Sequence, residues 1–264
     1  MRHMILWELT RRRTALLWWV IGIIALVALT VLAYAAVKNQ ASQLESALGS
    51  ISSGASSFVG TADLFSPKGY LNSNLYYVTL PILYIIFVLN LSSSLLGKEE
   101  SSTVLEVLLS RPLSRGKLLA AKATAGMTAL FILGAAATIT TIVCAKLIGL
   151  EIGMWPLILT NVVTVLFAGT FGAISFAMFA ASQLTRRFAT LAAILLSFGS
   201  YIITSLAGLV SWLETPAKFL PYHYFDTAKL LDGSIPVGLA VFIVGTYGIA
   251  KLASYIGFRR RDIG

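Results

Sequence analysis

This sequence holds little charge. Asp, Glu, Lys and Arg make up 12% of it, against about 25% in a soluble domain. The shortfall argues for a lipid bilayer, rather than water, as the main solvent. Cysteine is nearly absent. Cys144 stands alone inside an apolar run, which excludes an internal disulfide and leaves the redox compartment open. Histidine occurs only as His3 and His223, in distant segments that cannot share a metal if they lie at opposite membrane faces. The long apolar runs contain no acid, which argues against a proton-coupled carrier with a buried titrating carboxylate. Phosphate-binding loops are missing too. Gly97-Lys98 and Gly116-Lys117 lack both the upstream glycine and the Ser or Thr that follows the lysine in such loops.

What is present is apolar and periodic in its interruptions. Hydrophobic residues make up 57% of the chain, and the mean hydropathy is +0.84. Six stretches, near residues 14–37, 75–97, 123–148, 155–182, 188–213 and 236–258, are long enough to span as helices. The first reaches about 36 Å at the helical rise of 1.5 Å per residue, enough for a core of about 30 Å. A signal peptide cleaved after Ala33-Tyr34-Ala35 competes for it, but the apolar stretch exceeds the usual length of such a segment. The fold class expected is therefore an all-α polytopic membrane protein, a single transmembrane domain over 1–264.

Residues 1–13 predict an amphipathic helix on the headgroup surface. Met4, Ile5, Leu6 and Leu9 are apolar, Trp7 suits an interface, and Arg11, Arg12 and Arg13 close it. A plain positive anchor before the first span is a compatible reading. Residues 38–74 and 214–235 are expected as extracellular loops, and 98–122 as a cytoplasmic one. With six spans and both termini inside, 15 of the 20 Lys and Arg residues fall on the inner side. That is the asymmetry expected of cytoplasmic loops. It accounts for the net charge of +9 without nucleic acid as a partner. Lys146, near an outer span end, is expected to snorkel to the interface.

Small residues recur every four positions in the third and fourth spans. Ala121, Ala125, Ala129, Ala137, Thr141 and Ala145 form one set; Gly169, Ala173, Ala177 and Ala181 form the other. Each set shares a helix face, and small faces let helices approach closely in lipid. A substrate path lined by Thr138, Thr141, Asn161, Thr164 and Thr170 is the alternative, although threonine hydroxyls also satisfy their own helix. His223 and Asp226 are close in sequence, but no third group orients them for catalysis. An aromatic-rich membrane interface explains that segment more simply.

The loop at 98–122 reads KEESSTVLEVLLSRPLSRGKLLAAK. Thr103 and Glu106 have the spacing of a capping box. Glu99 and Glu100 precede it, where negative charge favours a helix start. Val104, Leu105, Val107, Leu108 and Leu109 follow as an apolar run, and Pro112 ends it. An amphipathic turn on the inner leaflet would place Glu99, Glu100 and Glu106 against an anionic surface. A protein partner accommodates those acids better.

Residues 100–115, ESSTVLEVLLSRPLSR, resemble the loop after the second span in permease subunits of type-2 ABC exporters. Six spans, the basic amphipathic start, the long first outer loop, the segment from Tyr222 to Asp226 and the Arg-rich end resemble that family too. Ser102 departs from the glycine common before the threonine. The resemblance implies that Thr103, Val104, Leu105, Glu106, Val107, Leu109 and Ser110 belong to a coupling helix. That helix would dock on a cytoplasmic ATPase subunit, which binds ATP and Mg. This chain itself would hold no cofactor, no metal and no catalytic residue. It also implies a second permease copy or paralogue; the path is expected between the two bundles, along the second and fifth spans, whose Asn90, Ser200, Tyr201 and Thr204 are polar. The expected function is the permease of an ATP-driven exporter in the plasma membrane. An ATP-independent carrier or channel, or an integral-membrane enzyme, remains the alternative. The substrate is not legible.

Overall fold

The computed structural model describes residues 2–38, 66–97, 115–181 and 183–259. Among these residues there are helices and turns and no strand. The longer elements are α1 (Arg2–Arg11), α2 (Arg13–Lys38), α3 (Pro67–Leu71), α4 (Thr79–Ser92), α5 (Arg115–Leu147), α6 (Met154–Ala181) and α7 (Gln183–Ala207). Three short helices, α8 (Glu214–Ala217), α9 (Pro221–Tyr224) and α10 (Thr227–Leu231), precede α11 (Val237–Arg259). Six segments are long and apolar enough to cross a membrane: Arg13–Ala36, Pro67–Leu96, Gly116–Leu147, Met154–Ala181, Arg187–Ala207 and Val237–Gly257. The protein is an all-α, six-span bundle.

The second span departs most from expectation. It starts at Pro67, not near residue 75. Ser66 is its N-cap, with its Oγ accepting the Gly69 N–H at 3.0 Å, and Pro67 occupies the first turn. Lys68, Asn72, Ser73 and Asn74 lower the local hydropathy, so the sequence reads as loop. The helix nonetheless absorbs the polar groups. Ser73 donates to Gly69 O at 2.9 Å and Asn74 donates to Tyr70 O at 3.1 Å. π turns at Asn72–Tyr76 and Ser93–Gly97 flank α4.

The third span begins earlier than residue 123, because α5 is already helical from Arg115. It ends where Gly149 adopts φ +65° and Leu150 donates back to Ala145 O at 2.8 Å, a glycine stop of the Schellman kind. The fifth span ends at Ala207, short of residue 213. The segment near 214–235 is built from α8, α9 and α10 rather than loop alone.

α6 is the hub. Buried residues fill 72% of its most apolar window, against 17% for α2. It packs against α11, α4, α7 and α5, while α2 packs on α5. The expected small-residue face of α5 is buried throughout: Ala121, Ala125, Ala129, Ala137, Thr141 and Ala145. Gly172 of α6 lies so close to α4 that an added Cβ would meet Val88 Cγ2 at 2.2 Å. Ser92 lies in that seam, its hydroxyl shared between Val88 O of its own helix at 2.8 Å and Gly172 O at 3.2 Å. Small residues thus set the close helix approach expected in lipid.

Candidate functional site

The site begins with Arg12, a turn residue between α1 and α2. The Arg12 N–H donates to Leu9 O at 3.1 Å, and Arg12 O accepts from Leu16 at 2.9 Å. The chain therefore bends without losing its hydrogen bonding. This bend turns Met4, Ile5, Glu8 and Leu9 toward the bundle and leaves Leu6 and Trp7 half exposed. Arg11 stacks over the Trp7 ring at 5.3 Å. The most buried residue of α1 is an acid, Glu8, which is 4% exposed. Apolar periodicity alone did not mark it.

Glu8 is buried because two cations meet it. Arg12 pairs with one carboxylate oxygen. Lys122, on the third turn of α5 and 1% exposed, reaches the other at 3.3 Å. Both cations also bind backbone at the end of the second span. Lys122 Nζ donates to Leu95 O at 2.7 Å. Arg12 donates from Nη2 to Ser94 O at 3.1 Å and from Nε to Ser94 Oγ at 3.3 Å. Ser94 and Leu95 lie in the π turn, whose geometry leaves carbonyls outside the regular α ladder. A buried charge needs this kind of pairing and hydrogen bonding. The cluster ties α1, the end of the second span and the start of the third into one unit.

Its place in the chain gives it meaning. The second span ends at Gly97 and α5 starts at Arg115, so the cluster grips both ends of segment 98–114. Thr103, Val104, Leu105, Glu106, Val107, Leu109 and Ser110 lie outside the described residues. A match to the profile of the ABC-2 family transporter protein covers residues 5–250. The chain belongs to the ABC-2 transporter family. Comparison with curated proteins and with solved structures gives no match. ABC-2 proteins are the membrane components of ABC transporters, and the six-span bundle is such a component.

Further along α6 of this ABC-2 protein, near the helix's midpoint, an aromatic group is buried in the bundle. Phe167 of α6 stacks on Phe225 at 4.2 Å and meets Tyr222 edge-on at 5.2 Å. Tyr222 in turn meets Tyr201 of α7 at 5.5 Å and Tyr77 at 6.4 Å. Four separate elements are held by rings. Burial pushes the Tyr222 hydroxyl above the ordinary phenol range. The Tyr222 and Thr204 hydroxyls are buried without a hydrogen-bond partner among the described residues.

The four path residues do not come together. Ser200 is buried on α7 and donates to Ser197 O at 2.9 Å. Tyr201 and Thr204 follow it on the same helix, and Tyr201 belongs to the aromatic group. Asn90 instead lines a cavity of about 260 Å³ bounded by Glu8, Arg12, Leu16 and Trp19. Thr138, Thr141, Thr164 and Thr170 donate to carbonyls of their own helices, at 2.9, 2.9, 2.7 and 2.6 Å. Asn161 crosses from α6 to Gly134 O at 2.5 Å and accepts from Tyr84 at 2.9 Å. Asn161 thus ties three helices together, while those threonine hydroxyls serve their own helices. Asp226 caps α10 through the Lys229 N–H at 3.2 Å and pairs with the Lys229 ammonium at 2.8 Å. His223 faces Tyr224 edge-on. Lys146 is exposed.

Proposed function

We propose that this chain is the permease subunit of an ATP-driven exporter in the plasma membrane, with both termini in the cytoplasm. A separate ATPase subunit holds ATP and Mg and docks on the coupling helix at 103–110. A second permease, identical or paralogous, completes the path. The observation that carries this reading is the grip of Glu8, Arg12 and Lys122 on both ends of segment 98–114. Force applied to that segment reaches the second and third spans together and moves α1 with them. ATP binding by the partner then shifts the bundle between inward- and outward-open states, by binding one state better than the other.

The path runs along the Ser200, Tyr201 and Thr204 side of α7. Unpaired buried hydroxyls are costly, and those of Thr204 and Tyr222 are available to a polar group of the cargo. The outward stripe of Phe188, Leu191, Leu195 and Ile202 gives α7 an apolar face for lipid or the second permease. Asn90 serves the separate cavity beside Glu8.

The test is co-expression with an ABC ATPase subunit, followed by affinity purification and efflux measurements. The ATPase is expected to co-purify, and Glu106→Arg to abolish both its retention and efflux while the permease still melts normally. Efflux that persists without any ATPase and survives Glu106→Arg would overturn this reading in favour of an ATP-independent carrier.

A further inference from the structure

A cavity of about 530 Å³ lies in the basic half of the bundle, away from α7. Its back wall is α4 and α6, with Val88, Gly172 and Phe176. Its front is the gap between α5 and α11. Two contacts frame that gap. Toward the membrane centre, the Tyr247 hydroxyl donates to Leu166 O at 3.1 Å and lies 3.9 Å from Met127 Sδ. Toward the basic end, Gly116 lies against Tyr255, 3.5 Å from where a Cβ would stand. Between these contacts Ala120, Ala123, Thr124 and Lys251 are exposed. The cavity is thus a window in the side of the bundle.

The lining has one chemically free group. The hydroxyls of Ser92, Thr124 and Ser254 each donate to a carbonyl, at 2.8, 2.7 and 2.6 Å. The rest is aliphatic or aromatic, apart from Lys251 at the rim. Apolar cavities do not hold ordered water well, and this one is within the size range of ligand sites. Lys251 stands two helical turns before Arg259, roughly 12 Å deeper along α11. Among the described residues no carboxylate pairs with it. An ammonium at that depth extends its stem toward the headgroups.

We propose that this window is a binding site for an anionic phospholipid from the leaflet at the basic end. One acyl chain fills the cavity between α5 and α11, and the phosphate pairs with the Lys251 ammonium. An apolar pocket matched to a chain, with a single cation at headgroup reach, is complementary to such a lipid. A neutral hydrocarbon would leave Lys251 without a counterpart. The site does not depend on the ATPase or on the path along α7.

The experiment uses the full chain in vesicles containing phosphatidylglycerol or phosphatidylcholine that carries a photoreactive group on one acyl chain. Labelled residues are mapped by mass spectrometry. Labelling is expected at the cavity, at Met127 and Ala250, and about fivefold higher with phosphatidylglycerol, the effect of one cation near an anionic surface. Lys251→Gln should remove that preference, Lys251→Arg should keep it, and Ala123→Phe should block labelling with either lipid. Elution and melting behaviour show that each variant is folded. Labelling no greater in the cavity than on the outward face of α2 overturns the proposal, and so does a preference that survives Lys251→Gln. A window covered by a second copy of the chain would give the former result.

Discussion

Lys122 Nζ lies 3.3 Å from Glu8 Oε1, across 114 residues of sequence. Both side chains are almost completely buried. Glu8→Ala leaves Lys122 and Arg12 in a low-dielectric site without their carboxylate. Breaking a buried pair this way costs about 3–5 kcal/mol. The melting temperature of the purified protein should fall accordingly. Glu8→Leu combined with Lys122→Met and Arg12→Met should recover much of that loss, since apolar side chains replace buried ion clusters well. Restored melting without restored efflux would separate the cluster's stability from its role in coupling.

The α4–α6 seam has no room for a methyl group. Gly172→Ala would place a carbon 2.2 Å from Val88 Cγ2. Overpacking of this kind costs about 1–3 kcal/mol. Val88→Ala in the same chain should relieve most of it. Gly199→Ala is the control, because nothing lies within 4 Å there. It should leave the melting temperature level or raised, through the better helix propensity of alanine.

Asn161 bridges three helices by accepting from Tyr84 and donating to Gly134 O. Asn161→Leu strands the buried Tyr84 hydroxyl. A loss of about 1–3 kcal/mol follows, the usual penalty of an unsatisfied buried polar group. Adding Tyr84→Phe should return part of it. Thermal denaturation of the single and double variants measures the coupling.

Asp226 does two jobs at the start of α10. As N-cap of α10 it is worth about 1 kcal/mol, which Asp226→Ala should forfeit and Asp226→Asn should largely keep. Its hydrogen bond and its charge raise the pKa of the Lys229 ammonium. A raised pKa stabilises the fold below the unfolded value of 10.5 and loses that effect as pH rises through the folded value. The stability difference between the native chain and Asp226→Asn should therefore be constant in the neutral range and shrink above pH 10.5. Melting curves across that range provide the check.

Much of the bundle was legible in the sequence. Acid-free apolar runs of helical length mark the spans, and the four-residue spacing from Ala121 to Ala145 marks a face that is buried. The start of the second span was hidden because Lys68, Asn72, Ser73 and Asn74 look like loop residues until the Ser66 cap starts the helix, local carbonyls take up Ser73 and Asn74, and distant Asp232 pairs with Lys68. The ion cluster was hidden for another reason. Lys122 reads as one more basic loop residue, and beyond Arg12, four residues on, nothing local to Glu8 names a partner. Only the packing of α1 and α5 joins them. The path residues were chosen by polarity alone, which does not tell the flank of α4 that bears Asn90 from the face of α7 that bears Ser200.

The two π turns in the second span have a consequence for the chain's tolerance of change. At the first, Tyr77 donates to Asn72 O at 2.8 Å, one residue further than in an α turn. Such a turn is an α turn with one residue inserted. Deleting Asn74 would convert it to a regular turn and leave the flanking helices facing the same neighbours. The same deletion within Thr79–Ser92 would swing everything beyond it by about 100°, the angle of one residue in a helix of 3.6 per turn. The second span thus carries a spare residue at each end, and none in the part that touches Gly172.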